Sequence, residues 1–198
     1  MADITISQLS TGTPNKNSAV IPYSDGTTTL KTSPAGIVAA SPGCLLQLVQ
    51  TIKTDYSRII FTTTPTNVVW NDIPGLSVSI TLNSNNRVYI MSSVNGCSTN
   101  LSGIRLVRGS TPLGIANSAG TRVVATAGGF WGSGGNTQSV ICSNINFLDN
   151  PNAGTHTYKI QVCHPQGDVV AINGTANQND EYYLFRTSST ITAMEIAS

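Results

Sequence analysis

The sequence predicts an all-β protein: an antiparallel β-sandwich of the jelly-roll type, preceded by an extended N-terminal arm. Three observations lead to this prediction. Apolar and polar residues alternate from Leu45 onward, turn-forming residues interrupt the alternation, and no useful stretch repeats at the 3.6-residue period of a helix. The change in pattern divides the chain into an arm of residues 1–43 and a jelly-roll domain of residues 44–198.

Alternating runs mark the strands of the domain. In the clearest runs every second residue is apolar, as in a strand with one buried face, and Val, Ile and Thr are frequent. These runs are LLQLVQTI (45–52), LSVSITL (76–82), RVYIMSSV (87–94) and HTYKIQV (156–162). Further predicted strands are SGIRLVRG, TRVVATA, QSVICSNINFL, DVVAI and STITAMEI. Predicted turns are NDIPG (71–75), NSNN (83–86), GSTPLG (109–114), DNPNAG (149–154) and HPQGD (164–168).

The arm has a different composition. Four prolines and several glycines prevent a long strand, although DITISQL (3–9) fits one short strand. Ordering its backbone costs roughly 1–2 kcal/mol per residue, whereas each buried Ile, Leu or Val returns about 1.5–3 kcal/mol. Because apolar residues are sparse, we predict that the arm docks on its own domain, on a neighbouring copy or on another partner. The candidate docking side chains are Ile4, Ile6, Leu9, Ile21, Tyr23 and Leu30.

Charge is scarce in this chain. The net charge is +1, and only 10% of residues are charged, against about 25% in an ordinary soluble domain. The lysines are scattered singly, which argues against nucleic acid as a partner, since that affinity comes mostly from clustered basic residues. An uncharged polar surface suits a long-lived assembly, in which burying charges would be costly.

Neither a secretory signal nor a membrane span is predicted. The opening MADITISQLS lacks a basic region and an apolar region, and no run approaches the ~18–20 apolar residues of a span. We therefore expect synthesis in a cytoplasm and no membrane partner. Cys44, Cys97, Cys142 and Cys163 are expected to be small buried residues. One disulfide remains possible in an oxidising medium, but spacing does not choose the pair.

No catalytic or metal motif occurs. His156 and His164 are the only histidines, and both have ordinary structural explanations. Cys163 adjoins His164, but neighbours in a strand point to opposite faces and are poorly placed to share a proton. No Ca²⁺ loop is present. The sequence therefore predicts that the chain is not an enzyme and needs no cofactor and no metal.

The stretch GGFWGSGG (128–135) is the most unusual in the chain, because glycines bracket Phe130 and Trp131 on both sides. One interpretation is a loop that presents the aromatic pair to a glycan or to a neighbouring subunit. The other is a hairpin whose aromatic side chains fold back on the core. NQNDEYY (177–183) is the nearest approach to an acidic cluster, and a solvated loop is its ordinary interpretation.

The chain resembles virion structural proteins of tailed bacteriophages. The body, NVVWNDIPGLSVSITL…RVYIMSSVNG…GIRLVRGSTPLG…GGFWG…INFLDNPNAGTHTYKIQV…SSTITAMEIA, is similar to the jelly-roll domains of phage fibres and capsid decoration proteins. Those domains are similar to trimeric tumour-necrosis-factor-like domains. The front, ITISQLSTGTPNKNSAVIPYSDGTTTLKTSP, is similar to N-terminal attachment segments of phage head and tail proteins.

This resemblance implies a homotrimer on the outer capsid surface of a virion, made in the cytoplasm of a bacterial host. Its N-terminal arms would bind the major capsid protein, and the trimer would act as a decoration, or cement, protein. The alternative is a tail or head fibre protein that recognises host glycans through GGFWGSGG or NQNDEYY. A carbohydrate-active enzyme would need paired carboxylates on facing strands. Glu181 and Glu195 are the only glutamates, and the seven aspartates lie mostly in turn-like stretches.

Overall fold

The computed structural model describes residues 21–24, 29–32, 42–62, 68–131, 138–177 and 180–198, the first two ranges by their backbone. These ranges contain thirteen β-strands and no helix. The strands are β1 (Ile21–Ser24), β2 (Thr29–Thr32), β3 (Leu45–Lys53), β4 (Ser57–Ile60), β5 (Trp70–Leu82), β6 (Arg87–Ser98), β7 (Gly103–Arg108), β8 (Thr111–Leu113), β9 (Ala127–Gly128), β10 (Ile141–Asp149), β11 (Gly154–Cys163), β12 (Val169–Ile172) and β13 (Ser189–Ile196).

Two antiparallel sheets form the sandwich. The first has the order β3-β13-β6-β12-β4, and β10 also pairs with β6. The second has the order β5-β11-β7-β8, and β9 also pairs with β7. The pairing is nested, because β3 pairs with β13, β5 with β11, β6 with β10 and β7 with β8. A long antiparallel hairpin wound into two sheets has this nesting, so the predicted all-β jelly-roll class is confirmed.

The core lies between the two sheets and is formed by every second residue of their strands. Ile90 and Ile191 from the first sheet are fully buried, as are Ile104 and Ile160 from the second. The sheets also meet along the edge between β3 and β5. There, side chains of β3 donate to backbone carbonyls of β5: Gln47 Nε2 to Thr81 O at 2.7 Å and Thr51 Oγ1 to Ser77 O at 2.7 Å. These bonds satisfy acceptors on what would otherwise be an open strand edge.

Two local predictions were wrong, and a third was right only in part, because the predicted turn GSTPLG (109–114) contains β8, Thr111–Leu113. TRVVATA (121–127) is not a strand, since only its last residue enters the two-residue β9. NDIPG (71–75) is not a turn between strands but lies inside β5. The β5–β11 register shifts between Lys159 and Gln161, and Gly75 has a φ of 73°. Proline and glycine here belong to an irregularity within one long strand, which a turn signal in the sequence does not distinguish from a chain reversal.

Part of the arm is described. Strands β1 and β2 pair antiparallel, Ile21 opposite Thr32 and Ser24 opposite Thr29, so this portion of the predicted arm forms a backbone hairpin. Of the candidate docking residues, Ile4, Ile6 and Leu9 lie outside the described residues, as do the side chains of Ile21, Tyr23 and Leu30.

The sandwich has two distinguishable ends. The arm end holds the start of β3, the last residues of the chain and the turn at residues 83–86. It is marked by the bond from Gly43 N to Ala197 O. The opposite end holds the end of β3, the start of β13 and the loop at residues 180–188. We call it the aromatic end, for the side chains described below.

Candidate interaction surfaces

Four strands of the first sheet, β3, β13, β6 and β10, carry almost no charge on their outer side. Alternation in β3, β13, β6 and β10 places one set of side chains in the core and the other on this outer side. We call the outer set the uncharged face. Arg87, near the arm end, is its one charged residue. Its other members are Leu48, Gln50, Ile52, Tyr89, Met91, Ser93, Asn95, Cys142, Asn144, Asn146, Leu148, Thr190, Thr192, Met194 and Ile196.

Cross-strand register arranges these side chains in rows. One row is apolar across all four strands: Met194 lies opposite both Leu48 and Tyr89, and Tyr89 lies opposite Leu148. The next row along the strands is Gln50, Thr192, Met91 and Asn146. A shallow groove of about 390 Å³ runs between these rows. The uncharged face thus combines an apolar band with neutral hydrogen-bonding groups, the composition typical of an interface core.

The outer side of the second sheet is different, because it carries charges. Lys159 Nζ lies 2.6 Å from Asp72 Oδ2, and Gln161 Nε2 donates to Asp72 Oδ1 at 2.6 Å. Partial burial opposes ionisation of Asp72, but the bonds from Lys159 and Gln161 outweigh it and hold the pKa of this carboxyl below its ordinary value. The two faces of one sandwich therefore suit different partners.

The structure separates the two residues of the glycine-bracketed pair. Phe130 is 1% exposed and packs in the core against Gly96. A Cβ atom added to Gly96 would lie only 2.6 Å from the Phe130 ring. Trp131 is 56% exposed at the aromatic end. Ser102 fixes the backbone of this segment, because its N–H donates to Phe130 O and the Phe130 N–H donates to the Ser102 hydroxyl oxygen at 2.7 Å. The side chain of Phe130 therefore folds back on the core, as the second interpretation of this stretch predicted. Of the two rings, only that of Trp131 is available to a ligand or a neighbouring subunit.

The loop between β12 and β13 presents three more exposed aromatic rings at the aromatic end. Tyr182 is 98% exposed, Phe185 is 71% exposed, and Tyr183 packs edge-on against Tyr182. The base of the loop is held, since the Arg186 guanidinium lies 4.5 Å from the centre of the Tyr56 ring. NQNDEYY was interpreted from sequence as a solvated loop. The sequence feature that indicates an aromatic surface in this loop is YYLF (182–185), which has three aromatic residues in four positions.

The residues that could suggest nucleophilic chemistry are buried. Burial raises the pKa of Cys163 to about 11, so its thiol is a poor nucleophile. His164 is also buried, and its burial lowers the pKa of the imidazole. All four cysteines are free. Cys97 and Cys163 are buried as predicted, whereas Cys44 is half-buried and Cys142 is exposed on the uncharged face.

The glutamates do not face one another. Glu195 is buried at the arm end, where it accepts hydrogen bonds from Gln47 Nε2 at 2.5 Å and from Asn86 Nδ2 at 2.7 Å. Glu181 lies in the exposed loop at the aromatic end. Within the described ranges, no group of three or more His, Cys, Asp or Glu side chains is placed to hold a metal ion. In the same part of the chain, no helix has the length and apolar character to cross a membrane.

The chain matches no protein-family model and no curated protein sequence. Its similarity to solved structures is weak, as two of them show. Dimeric latent PorU from Porphyromonas gingivalis is 11% identical, with a TM-score of 0.38 over 90% of this chain and 18% of that chain. A chain in the structure of infectious bursal disease virus Gx strain is also 11% identical, with a TM-score of 0.33 over 90% of this chain and 42% of that chain. This chain thus spans less than half the length of either.

Proposed function

We propose that the chain is a structural protein of a tailed-bacteriophage virion, a capsid decoration (cement) protein. In this proposal it forms a homotrimer on the outer capsid surface, its N-terminal arms bind the major capsid protein, and the assembled trimers stabilise the shell. The family resemblance of the sequence suggests the virion. The uncharged face is the structural observation that carries the self-assembly.

The uncharged face suits contact with copies of itself. Close to a threefold axis the copies of one residue approach one another, so a charge there meets like charges unless it is paired. Among the members of this face only Arg87 is charged, and it lies near the arm end. Burying the band formed by Leu48, Met194, Tyr89 and Leu148 removes apolar surface from water at little desolvation cost.

The position of the arm supports attachment at one end of such a trimer. The described body begins at residue 42, at the arm end. If the uncharged faces of three copies surround a threefold axis, all three arms leave from the same end. Three linked arms raise apparent affinity by factors of roughly 10²–10⁴ over one arm where geometry allows simultaneous binding. Individually weak arms are then sufficient for stable attachment.

Two measurements test this proposal. Light scattering of the purified protein should give the mass of three chains. A protein inventory of intact and tail-less particles should find the chain in many copies on heads, at threefold or quasi-threefold positions. A monomer in solution, or a chain found only at the tail tip, would contradict the proposal.

A second candidate function is supported by the exposed rings of the aromatic end. Trp131, Tyr182 and Phe185 are all exposed at the aromatic end, where a fibre or receptor-binding protein attached through its N-terminal segment would meet host glycans. Aromatic rings with one wet edge are common at such contacts. Binding to host cells or a glycan array, lost in Trp131→Ala or Tyr182→Ala but kept in Leu101→Ala, would favour this function. Leu101 is a suitable control because it is exposed but not aromatic.

We also propose that the chain has no enzymatic activity. Hydrolysis of a polysaccharide would need two carboxylates placed on either side of a glycosidic bond, whereas Glu195 is buried at one end of the sandwich and Glu181 is exposed at the other. Incubation with host polysaccharide should release no reducing sugar. Turnover that a single acidic substitution abolishes would contradict this proposal.

A further inference from the structure

A second groove, of about 390 Å³, lies on the outer side of the second sheet. It runs between the sheet and the connection that follows β8. Its walls are mostly aliphatic, and they include two arginine side chains. The lining residues include Trp70, Arg105, Ile115, Arg122 and Val123.

Arg105 is held in a fixed orientation at this groove. Its guanidinium lies 4.4 Å from the centre of the Trp70 ring, and its Nε donates to Gln161 Oε1 at 2.7 Å. Neither terminal nitrogen of Arg105 donates a hydrogen bond to another described residue. A stacked guanidinium with both terminal nitrogens available is pre-organised for a carboxylate, which it can bind through two parallel bonds.

The neighbouring acid does not neutralise this site. Asp72 is near enough to interact with Arg105 electrostatically, but its oxygens are engaged by Lys159 at 2.6 Å and by Gln161 at 2.6 Å. Lys159 and Asp72 cancel as a pair, which leaves the positive charges of Arg105 and Arg122 at the groove. Arg105 is therefore oriented by the linked contacts of Lys159, Asp72 and Gln161, and these contacts do not neutralise its positive charge.

We propose that this groove binds a peptide segment in which a carboxylate lies beside aliphatic side chains. The carboxylate pairs with the terminal nitrogens of Arg105, Arg122 adds attraction, and the aliphatic neighbours pack on walls such as Ile115 and Val123. An acidic sugar fits less well, because Arg105 already covers one face of the Trp70 ring on which a sugar would stack. The inference rests on this groove alone and does not depend on the virion or on the trimer.

Titration of the labelled full-length chain with two synthetic peptides tests the proposal. Nuclear magnetic resonance would follow the Trp70 indole and Arg105 Nε–H signals as acetyl-Ala-Val-Asp-Val-Ala-amide is added. We expect saturable shifts, and we expect the matched Asn peptide to bind at least about tenfold more weakly, because an amide cannot replace the charge-assisted pair. Equal binding of the two peptides, or binding of neither, would overturn the proposal.

Variants identify the groove as the site. Arg105→Gln should abolish the shifts, and Arg122→Gln should weaken binding about two- to fivefold, as expected for an exposed charge. Arg58→Gln is the matched control, because Arg58 is exposed on β4 of the other sheet. If Arg105→Gln fails to fold, the affinities of Arg122→Gln and Arg58→Gln for the Asp peptide are compared instead. Only Arg122→Gln should bind the peptide more weakly than the parent chain. If glucuronate binds saturably and the Asp peptide does not bind, the ligand of the groove is an acidic sugar and the proposal is overturned.

Discussion

The backbone nitrogen of Gly43 donates to the carbonyl oxygen of Ala197 at 2.8 Å, and Ala197 N in turn donates to Cys44 O at 2.9 Å. The chain therefore enters the jelly roll beside the point where it leaves. From Leu45 onward β3 pairs with β13, and among the described residues the ladder of the body uses none before Gly43.

Removing residues 1–41 is expected to leave a folded body, because the bonds of Gly43 and the whole of β3 are kept. The melting temperature, followed by circular dichroism, should change by less than about 4 °C. Under the proposed function, the truncated chain should no longer attach to shells. Removing residues 1–49 is the matched comparison, since it deletes half of β3 and should unfold the body. A body that needs residues 1–41 to fold, or a truncated form that still decorates capsids, would contradict this prediction.

Met91→Glu is expected to convert a trimer into single chains. Met91 is central in the uncharged face, opposite Thr192 and Asn146, so each copy would have to bury a carboxylate near its counterparts. Analytical ultracentrifugation at micromolar concentration measures the change in mass. Ser77→Glu is the control, because Ser77 is exposed on the outer side of the second sheet. If Met91→Glu keeps the mass of the parent, the uncharged face is not the contact.

Adjacent aromatic residues are expected to differ sharply in their effect on stability. Phe130→Ala removes a core ring that packs against Gly96, and should lower the free energy of unfolding by about 3–5 kcal/mol. Trp131→Ala removes an exposed ring and should change it by no more than about 0.5 kcal/mol. Denaturant unfolding with matched m-values makes the comparison. Equal effects of the two substitutions would place both rings in one environment, contrary to the structure.

The stability of the fold is expected to fall as the pH is lowered from 7 towards 5. Burial lowers the pKa of His164 below its ordinary value of 6.5 in the folded chain, so the unfolded chain binds the proton more readily. Stability is therefore lost as the pH falls from about 6.5 to the folded pKa, with a slope of up to about 1.4 kcal/mol per pH unit.

Replacing His164 tests this pH dependence directly. His164→Gln should flatten the profile of unfolding free energy against pH in that window. His156→Gln is the comparison variant, because it removes an imidazole that is less buried and contacts Asn152 O. A slope that survives in His164→Gln would assign the pH dependence to other groups.

Much of the body was readable from the sequence because strand periodicity is a local property. LLQLVQTI, RVYIMSSV and STITAMEI each form a strand. In RVYIMSSV the alternating Val88, Ile90 and Val94 lie in the core, whereas Leu48 and Ile52 of LLQLVQTI are exposed on the outer side. The predictions were wrong where one local sequence pattern fits two different tertiary arrangements. Proline and glycine in NDIPG mark either a turn or a strand irregularity, and only the pairing with β11 decides between them.

The sequence by itself determined the jelly-roll class, the different composition of the first 43 residues and the scarcity of charge, since all three follow from composition and from the order of residues along the chain. The tertiary structure alone decided that Phe130 is buried while Trp131 is exposed, and that Leu48, Met194, Tyr89 and Leu148 form one band. It likewise placed Arg105 over Trp70. The physical reason is that a strand specifies which of its residues share a side, whereas the neighbours across a sheet come from distant segments and are known only once the strands have paired.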